Sequence, residues 1–131
     1  MPISRLRSRL TSRCSIQRDP SAYLNDIIEA AAAIEEATVG LNSETYGQSR
    51  LIRSAVEREF IIIGEALKVI SRRSPALFAS IPEGRQIIDF RNLLTHEYLN
   101  VSDRLVWGAI QVDLPSLKDH CRALLQELNP S

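Results

Sequence analysis

The stretch Ser49-Arg-Leu-Ile-Arg-Ser-Ala-Val-Glu-Arg-Glu-Phe-Ile-Ile-Ile-Gly-Glu-Ala-Leu-Lys-Val-Ile-Ser-Arg-Arg73 decides the fold. Ile52, Val56, Phe60, Ile63, Leu67 and Ile70 recur at steps of three and four residues, the apolar stripe of one long helix. Ser49 can cap it, and the spacing carries it to about Arg72. Its middle, Phe60-Ile61-Ile62-Ile63-Gly64, is apolar on every side, which predicts cover all round, and Gly64 offers room for another backbone to come close.

Working outward, the upstream segment repeats the same grammar. Asp19-Pro20 supplies an N-cap and a proline at the first helical position, and Ala22 to Val39 carries Leu24, Ile27, Ala31 and Ile34 before closing at Gly40. A short turn with Asn42, Ser43 and Gly47 joins the two helices. Downstream, Ser74-Pro75 to Pro82-Glu83-Gly84 reads as a connector with one helical turn at Ala76 to Ala79. Arg85 to His96 recovers helical spacing through Ile87, Ile88, Phe90, Leu93 and Leu94. The last segment begins at Ser102 or Asp103, runs through Leu105, Val106, Trp107, Ile110 and Leu114, and passes Pro115 to reach Leu128. Asp113 can cap a new helix there, so a kink or a split is expected near Val112. The expectation is an all-α antiparallel bundle of four to five helices that dimerises.

Composition agrees. The chain has 131 residues, 44% hydrophobic and 24% charged, with only 5 glycines and 6 prolines, the make-up of one helical domain. No apolar run approaches the ~20 residues of a membrane span, which argues against an integral membrane protein. Net charge is zero but unevenly placed. Arg5, Arg7, Arg9, Arg13 and Arg18 stand in an acid-free opening segment. From Asp19 on, 11 basic residues face 16 acidic ones. A body so acidic does not coat nucleic acid through a broad basic face, so any RNA contact must be local.

Residues 1–18 are therefore set apart as a basic tail, read as disordered or as the product of a start site placed too far upstream. An organellar transit peptide and an electrostatic arm for RNA phosphates are its other readings. Residues 19–131 form the helical domain. Cys14 and Cys121 lie far apart and fit a reducing, cytoplasmic setting without a disulfide, and their spacing with the two histidines does not make a zinc site.

Chemistry concentrates in Asp89-Phe-Arg91-Asn92-Leu-Leu-Thr-His96-Glu97-Tyr98. On a helix Arg91 and Tyr98, seven apart, share a face, and Asn92 and His96, four apart, share the adjacent strip. Arg91 and His96 are separated by about 140° around the axis, so a convergent site needs long side chains, a helix end near His96, or a second protomer. An arginine grips a phosphate bidentately and stays charged, whereas an imidazole titrates near neutral pH and carries protons.

These residues resemble the HEPN superfamily, and within it the HepT-like toxins of HEPN/MNT toxin–antitoxin pairs, through the motif Arg91-x4-His96-x-Tyr98 with Asn92 after the arginine. The likeness extends to Arg18-Asp19-Pro20, Ile62-Ile63-Gly64-Glu65-Ala66, Val106-Trp107 and Asp113-Leu114-Pro115, covering roughly Arg18 to Leu128. It implies a HEPN (HepT-like) domain acting as a homodimeric, metal-independent endoribonuclease with no cofactor. Arg91 and His96 would be catalytic, and Asn92 and Tyr98 supporting or RNA-binding. It further implies a nucleotidyltransferase antitoxin of the MNT type that places AMP on Tyr98.

Residue by residue, plainer readings stand beside these. A helical arginine is usually a surface or ion-paired residue, and a tyrosine near a helix end usually packs its ring. Glu65 could be a buried partner for Arg91, and Asp89 and Glu97 could pair with Arg85 or Arg104. Trp107 reads as a core or interface anchor and His120 as a surface helix residue. The rival function is a non-catalytic helical dimer that binds nucleotide or RNA beside a nucleotidyltransferase; it would need Arg91 but not His96.

Overall fold

A computed structural model describes residues 18–96 and 101–129 of the chain; the arginines of residues 1–17 and Cys14 lie outside them. Helix α1 spans Pro20–Thr38. Asp19 caps it as expected, its Oδ1 accepting from the Ser21 backbone N–H at 2.9 Å. The Ser21 backbone and hydroxyl bonds hold the Asp19 carboxyl below its usual range. After α1 the chain reverses at Gly40, whose φ of +79° is the left-handed conformation that glycine enters without penalty.

The expected turn around Ser43 is instead a helix, α2, spanning Ser43–Gln48. Asn42 Oδ1 accepts from the Thr45 N–H at 2.9 Å, and Thr45 Oγ1 accepts from the Asn42 N–H at 2.8 Å, a reciprocal box that satisfies two otherwise orphaned donors. Helix α3, Arg50–Arg73, is the long element that the Ser49 to Arg73 stretch predicts, with Ser49 Oγ accepting from the Ile52 N–H. Helix α4, Pro75–Ala79, is the short turn in the connector, and α5 spans Gly84–His96.

The last segment is helical from α6, Asp103–Gly108, to α7, Leu114–Leu128, with a π-helical turn over Ala109–Asp113 between them. The expected irregularity near Val112 is there, but not as a new cap. Asp113 keeps helical angles and its side chain caps nothing. Pro115 explains the widened turn, because it lacks an N–H and its ring would collide with the carbonyl four residues back in a regular α-helix.

The architecture is all-α. Helix α1 lies between α3 and α7, α5 packs on the far side of α3, and α6 rests on α2. Helices α1 and α3 run antiparallel: Arg18, Pro20 and Tyr23 at the start of α1 share a hollow with Val69, Arg73 and Ser74 at the end of α3. The apolar stripe read from the sequence is the core. Leu24, Ile27 and Ile34 of α1 meet Val56, Phe60, Ile63, Leu67 and Ile70 of α3, and all are buried. Each such side chain contributes about 1.5–3 kcal/mol by leaving water.

Two aromatic contacts fix the helix crossings. Phe60 meets Phe90 of α5 edge to face, ring centres 5.0 Å apart, and Trp107 of α6 tilts against the buried Tyr46 of α2 at 5.6 Å. Trp107 thus anchors α6 to α2 while staying partly exposed. The cover expected all round the middle of α3 is incomplete. Phe60 and Ile63 are buried, but Ile61 is half-buried and Ile62 is exposed, because the α3 face opposite the core borders a groove. Among the described residues no helix is long and apolar enough to cross a membrane.

Candidate functional site

Helix α5 carries the chemistry-bearing residues, and its 3.6-residue period separates them. Arg91 falls on the face that packs against α3, together with Ile87 and Leu94, which are buried. His96, the last residue of α5, is exposed and lies about 140° round the axis. Tyr98 and Glu97, expected to continue this helix, lie outside the described residues.

Arg91 is the most constrained of the set. Its stem lies across Gly64 of α3, and a β-carbon at Gly64 would overlap Cβ and Cγ of Arg91 and come within 3.3 Å of Cδ. The room at Gly64 is therefore filled by the Arg91 side chain rather than by another backbone. The guanidinium then reaches Glu65, with Nη2 donating to Oε2, and its Nη1 donates to Asn92 Oδ1 at 2.9 Å. Glu65 is the partner expected for Arg91, but it is not buried: its side chain is 52% exposed, against 14% for Arg91. The Arg91 Nε is buried and makes no hydrogen bond among the described residues.

Asn92 therefore bonds Arg91, and no hydrogen bond joins it to His96 among the described residues. Thr95, not singled out in the sequence, donates from Oγ1 to the carbonyls of Arg91 and Asn92 at 3.2 and 3.1 Å, closing the turn that precedes His96.

The surroundings differ on the two sides of α5. On the Arg91 side, a groove of about 630 Å³ opens between α1 and α3, floored by Ile61, Ile62, Val69 and Leu94 and edged by Glu57 and Glu65. Burial pushes the Glu57 carboxyl up, with Arg53 opposing the shift. On the other side, Asp89 and Leu93 face Leu105 and Val112 across a second groove of about 830 Å³. His96 follows Asp89 by two turns, so it continues that wall. Neither Arg85 nor Arg104 forms an ion pair with Asp89 among the described residues; Arg85 instead stacks over the Phe78 ring, 5.6 Å from its centre.

A second polar cluster was not legible from spacing. His120 is not a lone surface residue: its Nδ1 lies 3.0 Å from both carboxylate oxygens of Glu83, and Ser116 Oγ donates to the same group. Glu83 and His120 are 37 residues apart, so only the fold brings them together. The cluster fastens the connector before α5 to α7. Cys121 beside it is buried, its thiol pushed up to about 12 by burial and then by the Glu83 charge. Among the described residues no three His, Cys, Asp or Glu side chains gather to hold a metal ion.

The sequence itself is similar to known proteins. A family model described as "Ribonuclease HepT-like" matches residues 27–124. The probable ribonuclease HepT of Thermococcus cleftensis is 37% identical over 103 residues, which is 79% of this chain and 93% of that protein. A Methanocaldococcus jannaschii protein bearing the name "Putative RNase" is 32% identical over 102 residues, 78% of this chain and 93% of its own length. A longer protein of that organism, a gamma-glutamylcyclotransferase and "putative RNase" by name, is 30% identical over 114 residues. The chain spans about half of that longer relative, 51% of its length. No solved structure matches.

Proposed function

Because the chain belongs to the ribonuclease HepT-like family, we infer that it is an endoribonuclease, the toxin of a toxin–antitoxin pair, cutting RNA without a metal. The observation that carries this reading is the guanidinium of Arg91, held by Glu65 and Asn92, five residues before an exposed His96 at the end of the same helix. In the proposed reaction the 2′-OH of one nucleotide attacks the adjacent phosphorus and the P–O5′ bond breaks. The products are a 2′,3′-cyclic phosphate and a 5′-OH. A base takes the 2′-OH proton and an acid delivers a proton to O5′. Arg91 is assigned to the charge that builds on the phosphate oxygens, and His96 to proton transfer. Asn92 holds Arg91, and Tyr98 is assigned to RNA contact.

A homodimer belongs to this reading. Arg91 faces α3 and His96 faces away from it, so one chain does not bring the pair together. A second copy against the His96 side of α5, where Leu105 and Val112 are exposed beside Asp89 and Arg104, would add the missing group. Two copies of His96 could then divide the roles of base and acid. A nucleotidyltransferase antitoxin would silence the site by transferring AMP from ATP to the Tyr98 oxygen with release of pyrophosphate, adding a bulky anion beside Arg91.

The rival reading, a non-catalytic partner that binds nucleotide or RNA, draws on the engagement of Arg91 by Glu65 and Asn92. One experiment separates the two. Full-length protein with unmodified Tyr98 is incubated with RNA in excess EDTA, as wild type and as His96→Ala, and the new ends are analysed. Cyclic phosphate and 5′-OH ends, formed on the order of 10²-fold more slowly by the variant, are expected. RNA binding without cleavage by the wild type would leave the binding module.

A further inference from the structure

Arg91 as a phosphate ligand raises a difficulty. A phosphate gripped bidentately needs two N–H groups on one edge of the guanidinium. Nη1 already donates to Asn92 and Nη2 to Glu65, each keeping one further N–H, and the buried Nε removes the edge that would use it. The stem cannot swing away to free the head, because it is wedged against Gly64 where the helices cross. A phosphate on the remaining Nη1–Nη2 edge would sit against the Glu65 carboxylate, so two anions compete for one guanidinium.

The partners are unequal. Asn92 is half-buried and sits next to Arg91 on the same helix. Glu65 is on the opposite helix, its side chain 52% exposed at the rim of the α1–α3 groove. Its carboxylate can turn into water at little cost, since an ion pair with one exposed member contributes little. A phosphodiester carries the same single negative charge as the carboxylate, so the exchange leaves the electrostatic balance at Arg91 unchanged.

We propose that Glu65 is a carboxylate latch: it occupies Arg91 Nη2 in the free protein, holds the guanidinium in the orientation that phosphate requires, and yields that position to the RNA phosphate. The proposal rests on the assignment of Arg91 to phosphate. Glu65 is then a positioning residue that also sets the threshold for substrate entry. Free protein keeps Arg91 neutralised, so stray anions do not settle on it, and only a polyanion with further contacts displaces the carboxylate. The acidic character of the body serves the same end.

The test uses full-length protein and a short single-stranded RNA oligonucleotide, with His96→Ala present throughout to prevent cleavage. Glu65→Gln keeps an acceptor for Nη2 but removes the charge that competes with phosphate. It is expected to tighten RNA binding about three- to tenfold. Glu57→Gln, one carboxylate away on the same groove, measures the general effect of losing one negative charge and should change affinity less than about twofold. The gain from Glu65→Gln should vanish when Arg91→Ala is also present, since the two act through one contact. A Glu65→Gln effect equal to that of Glu57→Gln, a gain that survives loss of Arg91, or weaker binding would overturn the latch.

A second readout does not depend on RNA. The Arg91 Nε–H resonance, followed by arginine-selective NMR during titration with inorganic phosphate, should move at several-fold lower phosphate in Glu65→Gln than in wild type. If no variant binds RNA, the assignment of Arg91 to an RNA phosphate fails while the phosphate midpoints still decide the latch. Equal midpoints refute it.

Discussion

Arg91 and Gly64 meet where α3 and α5 cross, and neither can change alone. Adding a β-carbon at Gly64 strikes Arg91 at Cβ, which belongs to the helix rather than to a movable tip, so the helices must separate. Gly64→Ala is therefore expected to cost about 1–3 kcal/mol in chemical unfolding and to displace the guanidinium. Loss of RNA cleavage beyond the fraction unfolded would report the displacement. Glu57 carries a different liability. Its folded-state carboxyl is raised by burial, so ionisation at neutral pH opposes folding, and the penalty fades as pH falls through the raised value. Glu57→Gln should accordingly stabilise the protein at pH 7 and lose that advantage at pH 4, as read by urea midpoints. At this scale the sequence disclosed more than the identities of the residues. The room at Gly64 was legible, though its occupant is the Arg91 side chain and not a backbone, and Glu65 was named as a partner for Arg91, though it is half-exposed and not buried. What it could not disclose was that Asn92 would bond Arg91 rather than His96, since that depends on how the guanidinium lies in the crossing between two helices.

The helices themselves were largely legible, for definite reasons. Asp19-Pro20 and Ser49 mark starts by chemistry that acts within three residues, and the long apolar stripes carry the helices onward. Helix α2 escaped because it is only one and a half turns long and its box closes through threonine at the third position, where glutamate or glutamine is the stronger signal. The grouping of Glu83, Ser116 and His120 escaped because no local rule links residues so distant in sequence. Gly108 offers an element-scale test. It is exposed in α6 with ordinary helical angles, and a β-carbon there meets nothing within 4 Å. Gly108→Ala should raise stability by about 0.5–1 kcal/mol in thermal unfolding, by removing backbone freedom from the unfolded chain. The same methyl stands on the groove assigned to a second copy, so a fall in dimer fraction by light scattering, alongside the gain, is the expected pair of outcomes.

For the molecule as a whole, charge limits how RNA can be held. With no net charge and an excess of acids from Asp19 on, affinity should depend on salt only through a few phosphates. A log–log slope shallower than about −3 is expected for a single-stranded substrate, at about −0.7 per phosphate contacted. Cys121 gives a check on global opening: with its thiol buried and pushed up to about 12, it should react with a disulfide reagent at pH 8 only as fast as the protein unfolds. The π-helical turn over Ala109–Asp113 also sets which face the last helix presents. It holds one residue more than a regular α-helical turn and absorbs it locally; were the same residues wound as a plain α-helix, everything beyond would be turned by about 100°. Leu117 and Cys121 would rotate off α1, and charged neighbours such as Lys118 and Arg122 would swing toward the core. The wide turn is therefore what keeps the apolar face of α7 in register with the core.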